Sequence, residues 1–332
     1  MPQPRLEQDG TTSGISFSFE VYPPRRDDAV AAVHDTVRKL ASVNPDFIAV
    51  TYGAGGSSRE RSLELVRFIA ENTSVPPMAH LTCVGSSAAE ANRLVREFLD
   101  AGIRQFLAIR GDAPEGAVDG DDYLGDLRSA TELVQLIHRV QLEREPYTEV
   151  DEPQWGGGAV RLSQRREPVR IGVAAFPNGH PQSRNRAQDI DVLLAKQAQG
   201  ANLAITQLFF DADDYLSFLA DARAAGVEFP ITPGIMPVTS LSRLQRIVDL
   251  TDEPMPTPLR DELTEAARIE AEAADSGTIP ATTQYDVGIA HAIGLGRAVL
   301  DGGAPGIHLY AFNQHAPVLD VLRGLGAISA AS

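Results

Sequence analysis

The stretch DFIAVTYGAGGSS, residues Asp46–Ser58, has a form that the rest of the chain repeats. An apolar run with β-branched residues ends in a glycine-rich turn. The segment that follows, 59–72, places Leu63, Val66 and Ile69 on one face of a helix. The pattern therefore predicts a strand, a loop and a helix in succession.

This unit recurs along the whole chain. Further apolar runs, each followed by polar or Gly/Pro residues and then an amphipathic segment, lie at 103–110, 169–176, 202–210 and 231–236. The full pattern contains eight strands, each followed by a helix, with two more helical stretches, 258–274 and 285–300, before the last strand. It predicts an α/β fold, a single (β/α)8 TIM barrel with extra helices before strand eight. The alternative is an open doubly wound sheet, but no GxGxxG motif follows the first strand.

We expect one domain rather than two. A chain of 332 residues fits a barrel of this class. Residues 1–13 are interpreted as a flexible N-terminal tail and 14–332 as the catalytic barrel. Within it, 143–167 has no hydrophobic period and contains three consecutive glycines, so we interpret it as an inserted surface loop.

Composition limits the classes of partner. The chain has 45 acidic and 29 basic residues, a formal net charge of −16. Such a charge repels nucleic-acid phosphates and anionic membranes, so neither is expected as a partner. No apolar run approaches the ~20 residues of a membrane span, and the N-terminus lacks an apolar signal segment. With a single cysteine, Cys83, the sequence favours a cytoplasmic location.

Polar residues at the predicted carboxyl ends of the strands are the candidates for a site, because active sites of barrels form there. Each candidate also has a structural explanation. Glu20 would pair with Arg25 or Arg26. His80 would be a satisfied core histidine, and Asp112 a helix cap or turn residue. Convergence of several strands favours function, whereas a metal site is disfavoured because no HxH or HxxxH pair occurs. The candidates are Glu20, Thr51, His80, Arg110, Asp112, His180, Gln207 and Asn313.

Eight blocks of the sequence, taken in order, resemble the motifs of methylenetetrahydrofolate reductases and cover the chain from Phe17 to about Leu325. The resemblance implies a barrel that binds FAD in its mouth and reduces 5,10-methylenetetrahydrofolate to 5-methyltetrahydrofolate. NADH, or less often NADPH, would supply the hydride through the flavin in a ping-pong reaction, and the protein would self-associate as a homo-oligomer. The blocks are FSFEVYPPR, VTYGAGGS, AHLTC, AIRGD, AAFPNGHP, the segment 189–196 before GANLAITQLFF, PGIMPV and HLYAFN.

The resemblance also assigns roles to residues. Glu20 would be the acid that protonates the substrate, with a pKa raised by its partly apolar surroundings. Asp112 would stabilise cationic character on the pterin. The implied substrate contacts are Gln207, Asp112, Tyr310 and Asn313. The implied cofactor contacts are Thr51, His80, Arg110, Asp112, Phe176, His180, Asp189 and Lys196. For Asp189 and Lys196, a solvated pair on one helix face is the alternative.

Three departures from the family pattern concern the binding of cofactor and substrate. Phe176 stands where many relatives have tyrosine, Leu241 where some have an aromatic residue, and Gln314 where an arginine is common. Phe176 and Leu241 leave open direct hydride transfer from NADH to the folate without flavin. A second alternative, from a different class, is a folate- or flavin-binding subunit that is inactive alone. A barrel resembling proline dehydrogenase is a weaker rival, since Glu20 and Gln207 would have no role in it.

Overall fold

The computed structural model describes residues 14–52, 56–85, 87–111, 123–144 and 168–329. The predicted tail, Asp112 and residues 145–167 of the predicted insertion lie outside these ranges. Eight parallel strands form a closed barrel in the order of the chain, so the predicted (β/α)8 fold is confirmed. The strands are β1 (Phe17–Val21), β2 (Ile48–Val50), β3 (Pro77–Thr82), β4 (Gln105–Ile109), β5 (Arg170–Ala175), β6 (Leu203–Leu208), β7 (Ile231–Ile235) and β8 (Ile307–Tyr310).

Helices follow the strands and cover the outside of the barrel. Three of them, α7, α8 and α9, connect β7 to β8, which confirms the predicted extra helices before strand eight. No helix of the described ranges is long and apolar enough to span a membrane. The helices are α1 (Val30–Ala41), α2 (Gly56–Asn72), α3 (Ala88–Asp100), α4 (Ala130–Arg144), α5 (Arg186–Ala198), α6 (Ala212–Ala224), α7 (Leu241–Thr251), α8 (Thr257–Ser276), α9 (Gln284–Asp301) and α10 (His315–Leu325).

The two extra helices, predicted at 258–274 and 285–300, agree with α8 and α9 to within two residues at each end. One difference concerns the predicted insertion at 143–167. Helix α4 continues through Arg144, so the first two residues of that segment are helical. Their side chains explain the extension, because Glu143 and Arg144 pair with Arg96 and Asp100 of α3.

Side chains alternate across the barrel wall. One set packs outward against the helices, and the other fills the interior with a small apolar cluster that includes Phe47, Met78, Leu107 and Ile205. The inward set is not apolar throughout. Strands β1, β3 and β8 direct ionisable groups into the interior, and these form the floor of the site described next.

Candidate functional site

A cavity of about 680 Å³ opens at the carboxyl ends of the strands. This is the end of a barrel where loops gather and ligands bind. Every described residue of the predicted site except Asn313 lines it. The predicted residues at the cavity are Glu20, Thr51, His80, Arg110, Phe176, His180, Asp189, Lys196, Gln207 and Tyr310.

Glu20 lies at the floor of the cavity with two histidines. Its Oε2 is 3.5 Å from Nε2 of His80 and 3.5 Å from Nε2 of His308, while Thr51 donates its hydroxyl to Oε1 at 3.2 Å. Strands β1 and β3 are not neighbours, so the contact with His80 crosses the interior of the barrel. Both histidines and the carboxyl are buried. The explanation of Glu20 as a structural acid paired with Arg25 or Arg26 is wrong, since its carboxyl contacts His80, His308 and Thr51 instead.

The pKa of the Glu20 carboxyl is shifted in the opposite direction to the sequence prediction. Burial alone would raise the pKa of its carboxyl, but the His80 charge, contacts with His308 and the Thr51 hydroxyl lower that pKa below the ordinary value. Burial lowers the pKa of His80, and the Glu20 carboxylate offsets only part of that effect. The predicted raised pKa of Glu20 is therefore wrong for the unliganded protein. The sequence reasoning counted the apolar surroundings and missed the two imidazoles.

His308 connects Glu20 to a hydroxyl deeper in the barrel. Its Nδ1 lies 2.8 Å from Oγ of Ser18, and its Nε2 faces Glu20. If Ser18 donates to Nδ1, then Nε2 carries the ring proton and suits an ionised carboxylate. If Ser18 accepts from Nδ1, then Nε2 is an acceptor and suits a protonated carboxyl. Rotation of the Ser18 hydroxyl, together with a change of the His308 tautomer, therefore accommodates both protonation states of Glu20.

Asp189 and Lys196 lie on α5, which begins after Asn185 because the Asn185 side chain accepts from the backbone N–H of Gln188. Both residues are buried, so the interpretation as a solvated helix pair is wrong. The Lys196 ammonium donates to the Ala174 carbonyl at 3.0 Å, and no second acceptor occurs in the described ranges. Burial lowers the pKa of Lys196 to about 8, although the Asp189 charge favours the ammonium form.

The wall between β4 and α5 is built by hydrogen bonds and ring contacts. Arg110 donates to the side-chain oxygen of Gln182 at 2.5 Å and pairs with no carboxylate of the described residues. The Phe176 ring packs edge-on against His180, with centroids 4.7 Å apart. Asp189 accepts from the backbone N–H of His180 and from the hydroxyl of Ser183, which fixes this loop against α5.

On β6, the next strand of the barrel, the Gln207 side chain lines the cavity with one end of its amide unused by the described residues. Its carbonyl oxygen accepts from the backbone N–H of Leu208 at 3.0 Å, and its NH2 group has no acceptor among the described residues. The Tyr310 hydroxyl instead donates to the Thr206 carbonyl at 2.8 Å, so only its ring faces the cavity. Gly234 makes room for this ring, because a Cβ there would lie 2.7 Å from Tyr310 and 2.4 Å from the Thr206 oxygen.

Asn313 occupies a different environment from the other predicted residues. Its Oδ1 accepts from the backbone N–H of Tyr22 at 2.9 Å, and its Nδ2 donates to the Tyr22 carbonyl at 3.0 Å. The residue also adopts a left-handed backbone, with φ of 60°. Its amide thus joins the loops that follow β1 and β8 and does not line the cavity. The prediction that Asn313 contacts substrate finds no support in these contacts.

Sequence reasoning missed three residues that belong to the site. His308 lies at the floor, while Tyr22 and Phe312 form an aromatic wall in which their rings stack 4.9 Å apart at 9°. A signal for two of them was present. In HLYAFN, residues His308, Tyr310 and Phe312 recur with the period of two that puts side chains on one face of a strand. The side chain of His308 therefore points into the barrel, as that of Tyr310 does.

The fold and the cavity define a (β/α)8 barrel of enzyme type, with a carboxyl between two imidazoles at the floor of its mouth and one buried and one half-buried cation, Lys196 and Arg110, in one wall. The family model of methylenetetrahydrofolate reductase matches residues 5–326. The chain is 32% identical to the 5,10-methylenetetrahydrofolate reductase of Pectobacterium carotovorum over 73% of this chain and 70% of that protein. The corresponding protein of Escherichia coli is 29% identical over 90% and 87%.

The chain therefore belongs to the methylenetetrahydrofolate reductase family, and the prediction of an enzyme of this family is confirmed. Longer relatives are named for their reductant, NADH in Arabidopsis thaliana and NADPH in Caenorhabditis elegans. A solved structure of a Clostridium thermocellum protein, described as binding two copies of 5-methyltetrahydrofolic acid, covers 94% of both chains with a TM-score of 0.60. At 11% identity it supports the shared fold alone.

Proposed function

We propose that this protein reduces 5,10-methylenetetrahydrofolate to 5-methyltetrahydrofolate, with NADH or NADPH as hydride source and bound FAD as carrier. The observation that carries the proposal is the Glu20 carboxyl, buried between two imidazoles at the floor of a cavity open to ligands. Membership of the family supports the choice of substrate. A cytoplasmic, homo-oligomeric protein is part of the same proposal.

Two cations at the cavity support FAD as the carrier. Lys196 is a buried cation with unused hydrogen-bonding capacity, and Arg110 at the same cavity has no carboxylate partner among the described residues. Cations held in this way suit a diphosphate. Lys196 and Arg110 would hold the phosphates, with Thr51, His80, Phe176, His180 and Asp189 around the remaining parts. When bound, FAD supplies a two-electron carrier that accepts hydride from the nicotinamide and delivers it to the folate.

Glu20 would supply the proton that the folate needs. As the bond between the bridging methylene carbon and N10 breaks, N10 takes a proton and the carbon remains double-bonded to N5 as an iminium. Hydride addition to that carbon gives the 5-methyl group, and one proton and one hydride are consumed. A pterin ring over Glu20 excludes water from the carboxyl and so favours its protonated form. The reorientation of Ser18 and His308 described above accommodates that form.

Substrate placement would fall to Gln207 and Asp112. The Gln207 NH2 group faces the cavity without an acceptor among the described residues and suits a pterin oxygen or ring nitrogen. Asp112, which lies outside the described residues, keeps the role that the resemblance implies, bonding to the pterin donors. One cavity that serves folate and nicotinamide in turn gives ping-pong kinetics.

A product assay tests the proposal. The purified protein, supplied with FAD and 5,10-methylenetetrahydrofolate, is incubated with NADH or NADPH, and 5-methyltetrahydrofolate is measured by mass spectrometry. We expect product with at least one nucleotide and a large loss in Glu20→Gln. The matched control Glu228→Gln removes an exposed carboxylate just before β7, at the opposite end of the barrel, and should have no effect.

Two other results would contradict parts of the proposal. Product formation by protein free of flavin would support direct hydride transfer, the alternative suggested by Phe176 and Leu241. Absence of product with either nucleotide and with bound FAD would contradict the reductase activity and favour a binding subunit that acts within a larger complex.

A further inference from the structure

Arg243 is a half-buried cation beside the mouth of the cavity with no anionic partner in the described ranges. It lies in the first turn of α7, where Ser240 caps the helix by accepting from the Arg243 backbone N–H. Its guanidinium donates to the side-chain oxygen of Gln314 at 2.8 Å and to the hydroxyl of Thr239 at 3.3 Å, both neutral groups. In a chain with a net charge of −16, a half-buried guanidinium without a carboxylate is unusual.

The guanidinium also ends the aromatic wall of the cavity. Its carbon lies 5.9 Å from the centroid of the Phe312 ring. Phe312 stacks on Tyr22 and lies 6.2 Å from Tyr310 at an interplanar angle of 18°. Tyr310 pairs in register with Glu20, so the two residues lie at one level, and Phe312 and then Arg243 follow towards the rim. An acid, a row of flat rings and a cation therefore follow one another along one wall.

The backbone of Phe312 is in a strained conformation. Its φ is 45°, a left-handed conformation that is disfavoured for an aromatic residue. The neighbouring Asn313 amide, bonded on both ends to the Tyr22 backbone, fixes that conformation. Such strain persists where the surrounding structure enforces it and is commonest at ligand sites. The Phe312 ring is therefore held in a fixed position in the cavity wall.

We propose that Arg243 binds a carboxylate of the glutamate tail of the folate substrate and so contributes to folate affinity. The inference rests on the proposed function. A folate places a reactive pterin, a flat aminobenzoyl ring and an anionic glutamate in the same order as the acid, the rings and the cation of this wall. A guanidinium binds a carboxylate with paired hydrogen bonds, and the surrounding rings exclude water from that pair.

The position explains one departure from the family pattern. Gln314 replaces an arginine that is common in relatives, which removes a cation from the loop after β8. Arg243 lies on α7 and donates directly to the Gln314 side chain. The positive charge at this rim is therefore retained but comes from a different element.

The test compares two ligands and three proteins. Dissociation constants of 5-methyltetrahydrofolate and of 5-methyltetrahydropteroate, which lacks the glutamate, are measured by calorimetry on the FAD-loaded wild type, Arg243→Gln and Arg246→Gln. Arg246 is the matched control, an exposed arginine on the same helix. We expect Arg243→Gln to weaken folate binding about tenfold, as for loss of a charge-assisted hydrogen bond, and to leave pteroate binding unchanged. Arg246→Gln should change neither.

Each other outcome is decisive. Equal weakening of folate and pteroate would show that Arg243 only supports the loops, and would overturn the inference. If the wild type binds neither folate nor pteroate, the proposed function itself fails. If the wild type binds both and Arg243→Gln is unaltered, the inference alone fails.

Discussion

Lys196 makes the binding of an anionic cofactor depend on pH in a calculable way. It is buried, with its pKa lowered from 10.5 to about 8. A shift of that size corresponds to about 3 kcal/mol against the charged form in the unliganded protein. Because the folded-state pKa is below the unfolded value, unfolded chains bind the proton more tightly. The free energy of unfolding should therefore rise as the pH rises from about 8 to 10.5, because the folded protein no longer has to bury a charged Lys196.

A bound diphosphate reverses this preference. Next to phosphate oxygens the ammonium form is favoured, so FAD binding should return the pKa of Lys196 towards 10.5 and take up a proton whenever the free amine is neutral. At pH 7 the unliganded amine is already mostly charged, whereas at pH 9 about nine tenths of it is neutral. FAD affinity should therefore fall about tenfold between pH 7 and pH 9.

Calorimetric titration of the flavin-free protein with FAD checks this prediction. Repeating the titration at pH 9 in two buffers of different ionisation enthalpy gives the number of protons taken up, which we expect to approach one. Lys196→Met should bind FAD more weakly and lose the pH dependence. Lys39→Met, which removes the only other lysine from the exposed surface of α1, should retain it. An affinity independent of pH in the wild type, or the same slope in Lys196→Met, would refute the reasoning.

Two further predictions concern the floor and the rim of the site. Glu20→Gln should slow reduction of the folate by about 10²-fold or more, while reduction of bound flavin by NADH keeps its rate, because only the reduction of the folate needs a proton donor. Stopped-flow measurement of the two half-reactions checks this, and an equal loss in both would refute the role of Glu20. Asn313→Ala should lower the free energy of unfolding by about 2 kcal/mol, since it removes two hydrogen bonds to Tyr22 and leaves alanine at a positive φ. Urea unfolding measures the effect. Asn313→Gly should recover the backbone part of the loss, and wild-type stability in Asn313→Ala would contradict this account of the rim.

The fold was predictable because each strand, loop and helix carries its own local signal. Apolar runs end at glycine or polar residues, and helical periodicity follows each run. The extra helices α8 and α9 were predictable for the same reason. Contacts between distant strands have no such signal, so the approach of His308 to Glu20 from β8 appears only in the closed barrel.

The same limit explains what the sequence left open, and what it predicted wrongly, about the site. A spacing of seven residues puts Asp189 and Lys196 on the same face of α5. Whether that face points to solvent or to the barrel depends on how the helix packs, which the sequence does not give. The pKa of Glu20 depends on imidazoles contributed by two other strands. Asn313 is a polar residue of a type that often binds ligands. Its left-handed backbone and its hydrogen bonds to Tyr22 instead hold the loops after β1 and β8 together. Arg243 has no sequence signal at all, because its importance lies in the absence of a carboxylate near it among the described residues.

The central claim is that one cavity carries hydride from a nicotinamide nucleotide to a folate through bound flavin. An absorbance spectrum of the freshly purified protein, recorded without oxygen before and after each substrate, tests it most directly. The account predicts a flavin band that NADH or NADPH bleaches and that returns when 5,10-methylenetetrahydrofolate is added. A protein that stays colourless after incubation with FAD, or a bleached flavin that the folate fails to reoxidise, would contradict the account.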